Sequence, residues 1–168
     1  MHRQLTDYMR ANNIEVMCLQ ETKSKHTPQY VVEDYTFLTV STAPSELHEF
    51  AGVGFILSPR ARNALVRVEP LGSRIAVITL LLAAGELHIF NTYVPQNGRP
   101  EDARLAHFDQ LHDRTEHYKR KGPLFVVGDF NSRLHGKLHS EADVLGLYIF
   151  EKGYHAIGDD SDNRFLFS

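Results

Sequence analysis

The feature that most constrains this chain is an apolar run that ends on an acid. Leu124-Phe125-Val126-Val127-Gly128-Asp129-Phe130-Asn131 has the length and β-branched content of a buried strand. Gly128 lets the backbone turn where the hydrophobic signal stops. If the strand's period of two persists that far, Asp129 and Asn131 project on the same side. A carboxylate and a carboxamide delivered together to a strand end are what a site needs, although a strand can also end in Gly-Asp with no site at all.

Three further segments have the same character. Ile14-Glu15-Val16-Met17-Cys18-Leu19-Gln20-Glu21 is a short apolar run closing on an acid, again a candidate site edge. Leu87-His88-Ile89-Phe90-Asn91-Thr92-Tyr93-Val94 leads into Pro95-Gln96-Asn97-Gly98-Arg99, so that amide, hydroxyl, phenol and guanidinium follow closely. Phe50 to Ser58 places Gly52 and Gly54 inside an apolar run, where something must pack closely.

Around these, the pattern predicts an α/β (α+β) layout. His2 to Asn12 puts Leu5, Tyr8 and Met9 on one helical face, with Asn12-Asn13 as a stop. Tyr35 to Val40 and Gly52 to Leu57 are expected to pair across a loop containing Pro44 and His48. Leu65 to Val68, Ile75 to Leu82 and Leu87 to Val94 extend the sheet, with Ala84-Gly85 as a tight hairpin. From Glu101 to Lys121 acids come first and bases last, with Leu105, Phe108, Leu111 and Tyr118 on one face: a helix aligned favourably with its dipole. Gly122-Pro123 ends it.

A net charge of −3 over 168 residues gives no global attraction to a polyanion, so any phosphate contact must be local. The single cysteine, Cys18, has no disulfide partner and reads as a small buried hydrophobe. No apolar run reaches the roughly 18 residues of a membrane span, and no secretory leader precedes the first helix. The expectation is an intracellular protein, nuclear or cytoplasmic, with no membrane partner. The ten histidines read as surface residues: His107, His112 and His117 are spread around the helix, and His135 with His139 lacks an acid to complete a zinc set. Asp159-Asp160-Ser161-Asp162-Asn163 lacks the central Gly and terminal Glu of a calcium loop; it reads as a polar loop before a helix starting near Arg164.

Four motifs in order, Leu19 to Lys23 (LQETK), Ala51 to Ser58 (AGVGFILS), Asn91 to Arg99 (NTYVPQNGR) and Gly128 to Arg133 (GDFNSR), resemble the endonuclease/exonuclease/phosphatase superfamily of DNase I-like proteins. Tyr93, where DNase I-like members usually carry His, makes the chain most similar to the abasic-site, retrotransposon-type and craniofacial-development-protein-like branch. The resemblance implies a four-layer α/β sandwich of mixed, largely antiparallel sheets flanked by helices. It further implies Mg²⁺-dependent phosphodiester hydrolysis, with Mn²⁺ able to substitute, and DNA as the partner and substrate. Glu21 would be the metal ligand. Asp129 would orient or deprotonate the attacking water, Asn131 would bond the scissile phosphate or the water, and Tyr93 would donate to a phosphoryl oxygen. Arg99 and Asn97 would contact the substrate, and Gln20, Lys23 and Asn91 would position the site groups. Each has a structural alternative: Glu21 capping a strand-to-loop turn, Tyr93 an ordinary sheet aromatic, Arg99 solvated beside the helix start.

Members of that superfamily also carry an Asn-bearing strand before the Gln-Glu motif and a closing Asp-His motif. Only twenty residues precede Glu21, reading as helix, and His135, His139 and His155 lack the preceding acid. The expectation is therefore a single incomplete domain over 1–168, missing the first and last strands. Apolar Phe165, Leu166 and Phe167 at its end agree with that. The alternative to an active endonuclease is an inactive remnant with at most an interaction role. A phosphatase or phospholipase specificity is the alternative within enzymes.

Overall fold

The computed structural model describes residues 2–24, 29–40, 52–96 and 98–132. Asn97, His135, His139, His155, Pro44, His48, the acidic stretch from Asp159 and the segment near Arg164 lie outside the described residues. The elements run α1 (His2–Ala11), β1 (Val16–Gln20), β2 (Gln29–Val32), β3 (Tyr35–Thr39), β4 (Val53–Leu57), α2 (Pro59–Ala64), β5 (Leu65–Pro70), β6 (Ile75–Leu82), β7 (Gly85–Tyr93), α3 (Glu101–Lys119) and β8 (Leu124–Asp129).

They build two four-stranded sheets, ordered β1-β4-β3-β2 and β5-β6-β7-β8. Every pairing is antiparallel except β7 with β8, because the α3 crossover returns the chain to the same end before β8 begins. Side-chain alternation then sorts the residues into layers. Val53, Phe55 and Leu57 of β4 meet Ala76, Ile78 and Leu80 of β6 between the sheets. Ile56 faces the other way, onto Met9 of α1 with Phe37. Ile75, Val77 and Phe90 face Leu111 and Tyr118 of α3. The result is helix, sheet, sheet, helix, the four-layer sandwich expected from the resemblance. Burying each of these large apolar side chains contributes roughly 1.5–3 kcal/mol.

The departures from the sequence reading have local causes. Along α3 the buried stripe is Arg104, His107, Leu111, Thr115 and Tyr118, spaced 3-4-4-3, which is the helical repeat. Leu105, one residue off that stripe, is left exposed. His107 is therefore buried rather than a surface residue, and so is His88 on the α3 side of β7. The short α2 went unpredicted although Ser58-Pro59 carries its signal: the Ser58 hydroxyl accepts from Ala61 N at 3.1 Å and Pro59 opens the first turn. Cys18 packs against the inter-sheet core, and burial pushes its thiol up to about 12, in keeping with a hydrophobe's role.

Gly128 brings β8 close against β7 at Thr92. Its φ is +150°, and a Cβ built there would lie 1.9 Å from the carbonyl oxygen of Thr92. Only glycine fits, and the next residue is Asp129.

Candidate active site

The site is built at the ends of three strands. On β7 the residues facing the other sheet include Asn91 and Tyr93, since Ile89 and Tyr93 pack into the inter-sheet core while Phe90 packs toward α3. Asn91 is fully buried. Its amide donates to Leu19 O of β1 at 2.9 Å and to Gly54 O of β4 at 2.8 Å, and its carbonyl accepts from Gln20 Nε2 at 2.6 Å. One side chain from the second sheet thus clasps two strands of the first. That fixes the end of β1 relative to the end of β7.

Glu21 follows at once. By simple alternation it would face α1, opposite to Gln20, but its φ of +53° breaks the pleat. The carboxylate instead reaches the inter-sheet side, where Tyr93 donates its phenolic O–H to Glu21 Oε1 at 2.8 Å. A left-handed non-glycine residue costs on the order of 1–2 kcal/mol, and such strain gathers at functional sites. Gln96 Nε2 donates to the Tyr93 oxygen at 3.4 Å. Burial first, then the hydrogen bond and negative charge of Glu21, raise the Tyr93 pKa above its ordinary value. The phenol keeps its proton at neutral pH, and in this structure that proton goes to Glu21.

Asp129 is the parallel partner of Tyr93 across β7 and β8, so the two sit on neighbouring strands with their side chains on the same face. Val94 N donates to Asp129 O at 2.9 Å, which continues the ladder one step past the phenol. Asn131 joins Asp129, but not through the pleat. The strand stops at Asp129 and Asn131 has φ +47°. A turn replaces alternation: Asn131 N donates to Asp129 Oδ1 at 2.8 Å, and Asn131 Nδ2 donates to Val94 O at 2.6 Å. This is the local bond by which Asp favours turns over strands, and it fixes the carboxylate's rotation.

Lys23, also left-handed with φ +49°, lies two residues beyond Glu21 and is exposed. Arg99 sits apart from the acids, beside Arg74 in a cleft at the start of α3. Sequence reasoning missed Arg74, whose guanidinium carbon lies 5.0 Å from the Tyr93 ring centroid and whose Nη1 donates to Tyr93 O at 3.4 Å. Its signal was a lone cation opening the apolar run Ile75–Leu82, placed by the antiparallel partnership of Ile75 with Thr92. Also missed was the pair Thr92 Oγ1 and His107 Nε2, 2.8 Å apart, on the α3 side of the same strand. Burial, helped by the charge of Arg74, brings His107 down to about 4.

The donor set can be weighed against a metal. Among the described residues no group of three or more His, Cys, Asp or Glu side chains is placed to hold an ion, which is unlike a zinc centre. Glu21 is an exposed carboxylate with one oxygen held by Tyr93. A single oriented carboxylate completed by water suits Mg²⁺, which takes one or two carboxylates and keeps its hydration.

A two-sheet sandwich with helices on both outer faces, carrying acids, amide and phenol at the ends of β1, β7 and β8, belongs to the DNase I-like class of folds. The chain is a member of the endonuclease/exonuclease/phosphatase family, whose model matches residues 1–151. Among solved structures it is similar to TDP2 from C. elegans, with TM-score 0.54 and 13% identity over 77% of this chain and 42% of that one. It is also similar to the human Nocturnin catalytic domain with bound sulfate, with TM-score 0.50 and 16% identity over 77% of this chain and 55% of that one. At such identities the likeness is one of fold, and the chain spans about half the length of these structures. No curated protein matches it by sequence. The family as a whole performs metal-dependent hydrolysis of phosphodiester bonds.

Proposed function

We propose that this chain carries a Mg²⁺-dependent phosphodiesterase site acting on DNA, of the endonuclease type found in abasic-site and retrotransposon enzymes. The observation that carries the reading is the Tyr93–Glu21 hydrogen bond with Asp129 in register beside it. These are the metal-ligand, phenol and base positions the resemblance assigns, gathered from three strands. Glu21 would hold the ion, and bound Mg²⁺ would neutralise the charge developing on the phosphate oxygens. Tyr93 holds Glu21 in place through its O–H. Asp129, its rotation fixed by Asn131 N, is the group that takes a proton from an attacking water. Tyr rather than His at position 93 favours the DNA endonuclease branch over phosphatase and phospholipase specificities.

Nicking of supercoiled plasmid tests this directly, with the chain in Mg²⁺ beside an EDTA control and the Asp129→Ala and Glu21→Gln variants. Nicking is expected in Mg²⁺ alone and is expected to fall about 100-fold or more in each variant. A folded chain that does not nick, or nicking that survives Asp129→Ala, overturns the reading and favours a core retained without catalysis.

A further inference from the structure

The sequence of β8 and its surroundings disagree. Leu124-Phe125-Val126-Val127 is an uninterrupted apolar run, the composition of a parallel strand covered on both faces. In the structure none of the four is fully buried. Phe125 is 60% and Val127 37% exposed, on the face that Ile89, the partner of Phe125, turns toward the other sheet. Leu124 and Val126 are half-buried toward α3. The reason is position, since β8 ends its sheet among the described residues. The opposite edge is guarded in the usual ways: β5 carries Arg67, Glu69 and Pro70, with a register shift between Leu65 and Arg67. β2, the far edge of the first sheet, is only four residues long. β8 has no charge, proline or register shift before Asp129, and β1, the edge strand lying against it, is uncharged too. An open apolar edge of this kind is a template for another strand.

We propose that this edge is a homodimer contact: β8 pairs antiparallel with β8 of a second copy of this chain, about a two-fold axis at Val126. Two observations choose that occupant and that register. The first is backbone direction. His88 N donates to Pro123 O and Val94 N to Asp129 O, so the odd-numbered residues of β8 turn their peptide groups toward β7, and Leu124, Val126 and Gly128 turn theirs outward. With Val126 on the axis, Leu124 faces the partner's Gly128 and every outward group finds a mate. The same register sets Phe125 opposite the partner's Val127 in the closely spaced pairs between those bonds, so the two exposed side chains cover each other twice. The second is charge. Arg120 and Lys121, both exposed, precede β8, and the exposed Asp129 ends it. Antiparallel pairing lays the basic start of one strand beside the acidic end of the other, where parallel pairing would set like beside like. The contact uses the same surface on both copies and closes at two. It also brings the partner's Lys121 toward Asp129, so the second copy contributes to the surroundings of the candidate site.

Sedimentation equilibrium of the full chain over about a hundredfold range of concentration is expected to show the mass rising from one copy to two and stopping there. Hydrogen exchange is expected to show the Val126 and Gly128 amides open in dilute protein and protected in concentrated protein. Phe125→Glu and Val127→Lys each place a charge on an exposed side chain, with folding checked by circular dichroism, and each alone should weaken the dimer about tenfold or more. Mixing the two variants should restore it, because one acid–base pair and one native Phe–Val pair then face each other across the axis. A single copy at every concentration overturns the proposal, whether the two amides then exchange freely or are protected by residues 133–168 of the same chain. A mass beyond two copies, a dimer that both single variants leave intact, or a mixture that stays monomeric overturns it as well. None of these readings involves nicking, so the dimer and the hydrolysis reading stand or fall separately.

Discussion

Tyr93 is a fully buried phenol with its oxygen at the site, and removing that oxygen separates its two contributions. Tyr93→Phe keeps the ring under Arg74 and the packing of the core, and deletes the O–H that holds Glu21. Nicking should fall about 10- to 100-fold, while urea melts should show a loss of about 1 kcal/mol; unchanged activity would make Tyr93 an ordinary sheet aromatic. His107 gives a second residue-level expectation. Its folded pKa lies at about 4 against the ordinary 6.5 of an imidazole, so between those values the unfolded chain binds the extra proton and the folded chain does not. The stability this confers is complete above pH 6.5 and is lost as pH falls toward 4, by on the order of 3 kcal/mol. The difference in unfolding free energy between the parent and His107→Gln should therefore shrink across that window; a pH-independent difference would mean that the ring is not held neutral. Glu21, Tyr93 and Asp129 were readable as chemistry because each ends an apolar run. Arg74 and His107 were not, because their importance lies in partners on other elements, Tyr93 and Thr92, that the order of residues does not display.

The elements converge on the site through two devices, and each can be broken singly. Asn91 joins β7 to β1 and β4 through three hydrogen bonds. Asn91→Leu leaves Leu19 O and Gly54 O without that donor and should cost about 2–4 kcal/mol in urea unfolding. Activity should fall with it even where the fold survives, because Glu21 follows directly on the clasped strand; a variant as stable as the parent would show that the sheets do not depend on the clasp. Gly128 lets β8 come up against β7. Gly128→Ala drives a Cβ into Thr92 O at 1.9 Å in a backbone state of φ +150°, and should cost about 3 kcal/mol or more; a neutral result would mean that β8 is free to shift. Apolar runs and turn residues made β1, β4, β6, β7, β8 and the extent of α3 legible. What they could not supply was the partition into two sheets, because alternation says that a residue has two faces but not which sheet or helix lies on each. The same limit misplaced Leu105 and hid the stripe through His107 and Leu111. The strand period also stopped two residues short of its extrapolation to Asn131, since the Asp129 side chain captures the Asn131 amide in a turn.

At the scale of the molecule the governing considerations are a net charge of −3 and a proposed substrate that is itself an anion. Association cannot draw on a global field, as a basic nucleic-acid binder's would. It must rest on a small number of local cations, and the described residues place Arg74 and Arg99 together in one cleft at the start of α3. This sets the salt dependence of binding. Each neutralised phosphate releases condensed counterions, and the logarithm of the binding constant falls with the logarithm of salt by roughly 0.7–0.9 per contact. Two contacts predict a slope of about −1.4 to −1.8 for single-stranded or duplex DNA in metal-free buffer, and Arg99→Ala should lower it by about one contact. A slope of −5 or steeper would mean an extended basic surface that the described residues do not contain. A slope near zero would mean that no phosphate is bound by charge, leaving Glu21, Tyr93 and Asp129 without a polyanion to act on. Fluorescence anisotropy of a labelled oligonucleotide across a tenfold range of salt distinguishes the three outcomes, and because EDTA is present it does so whether or not the chain cuts.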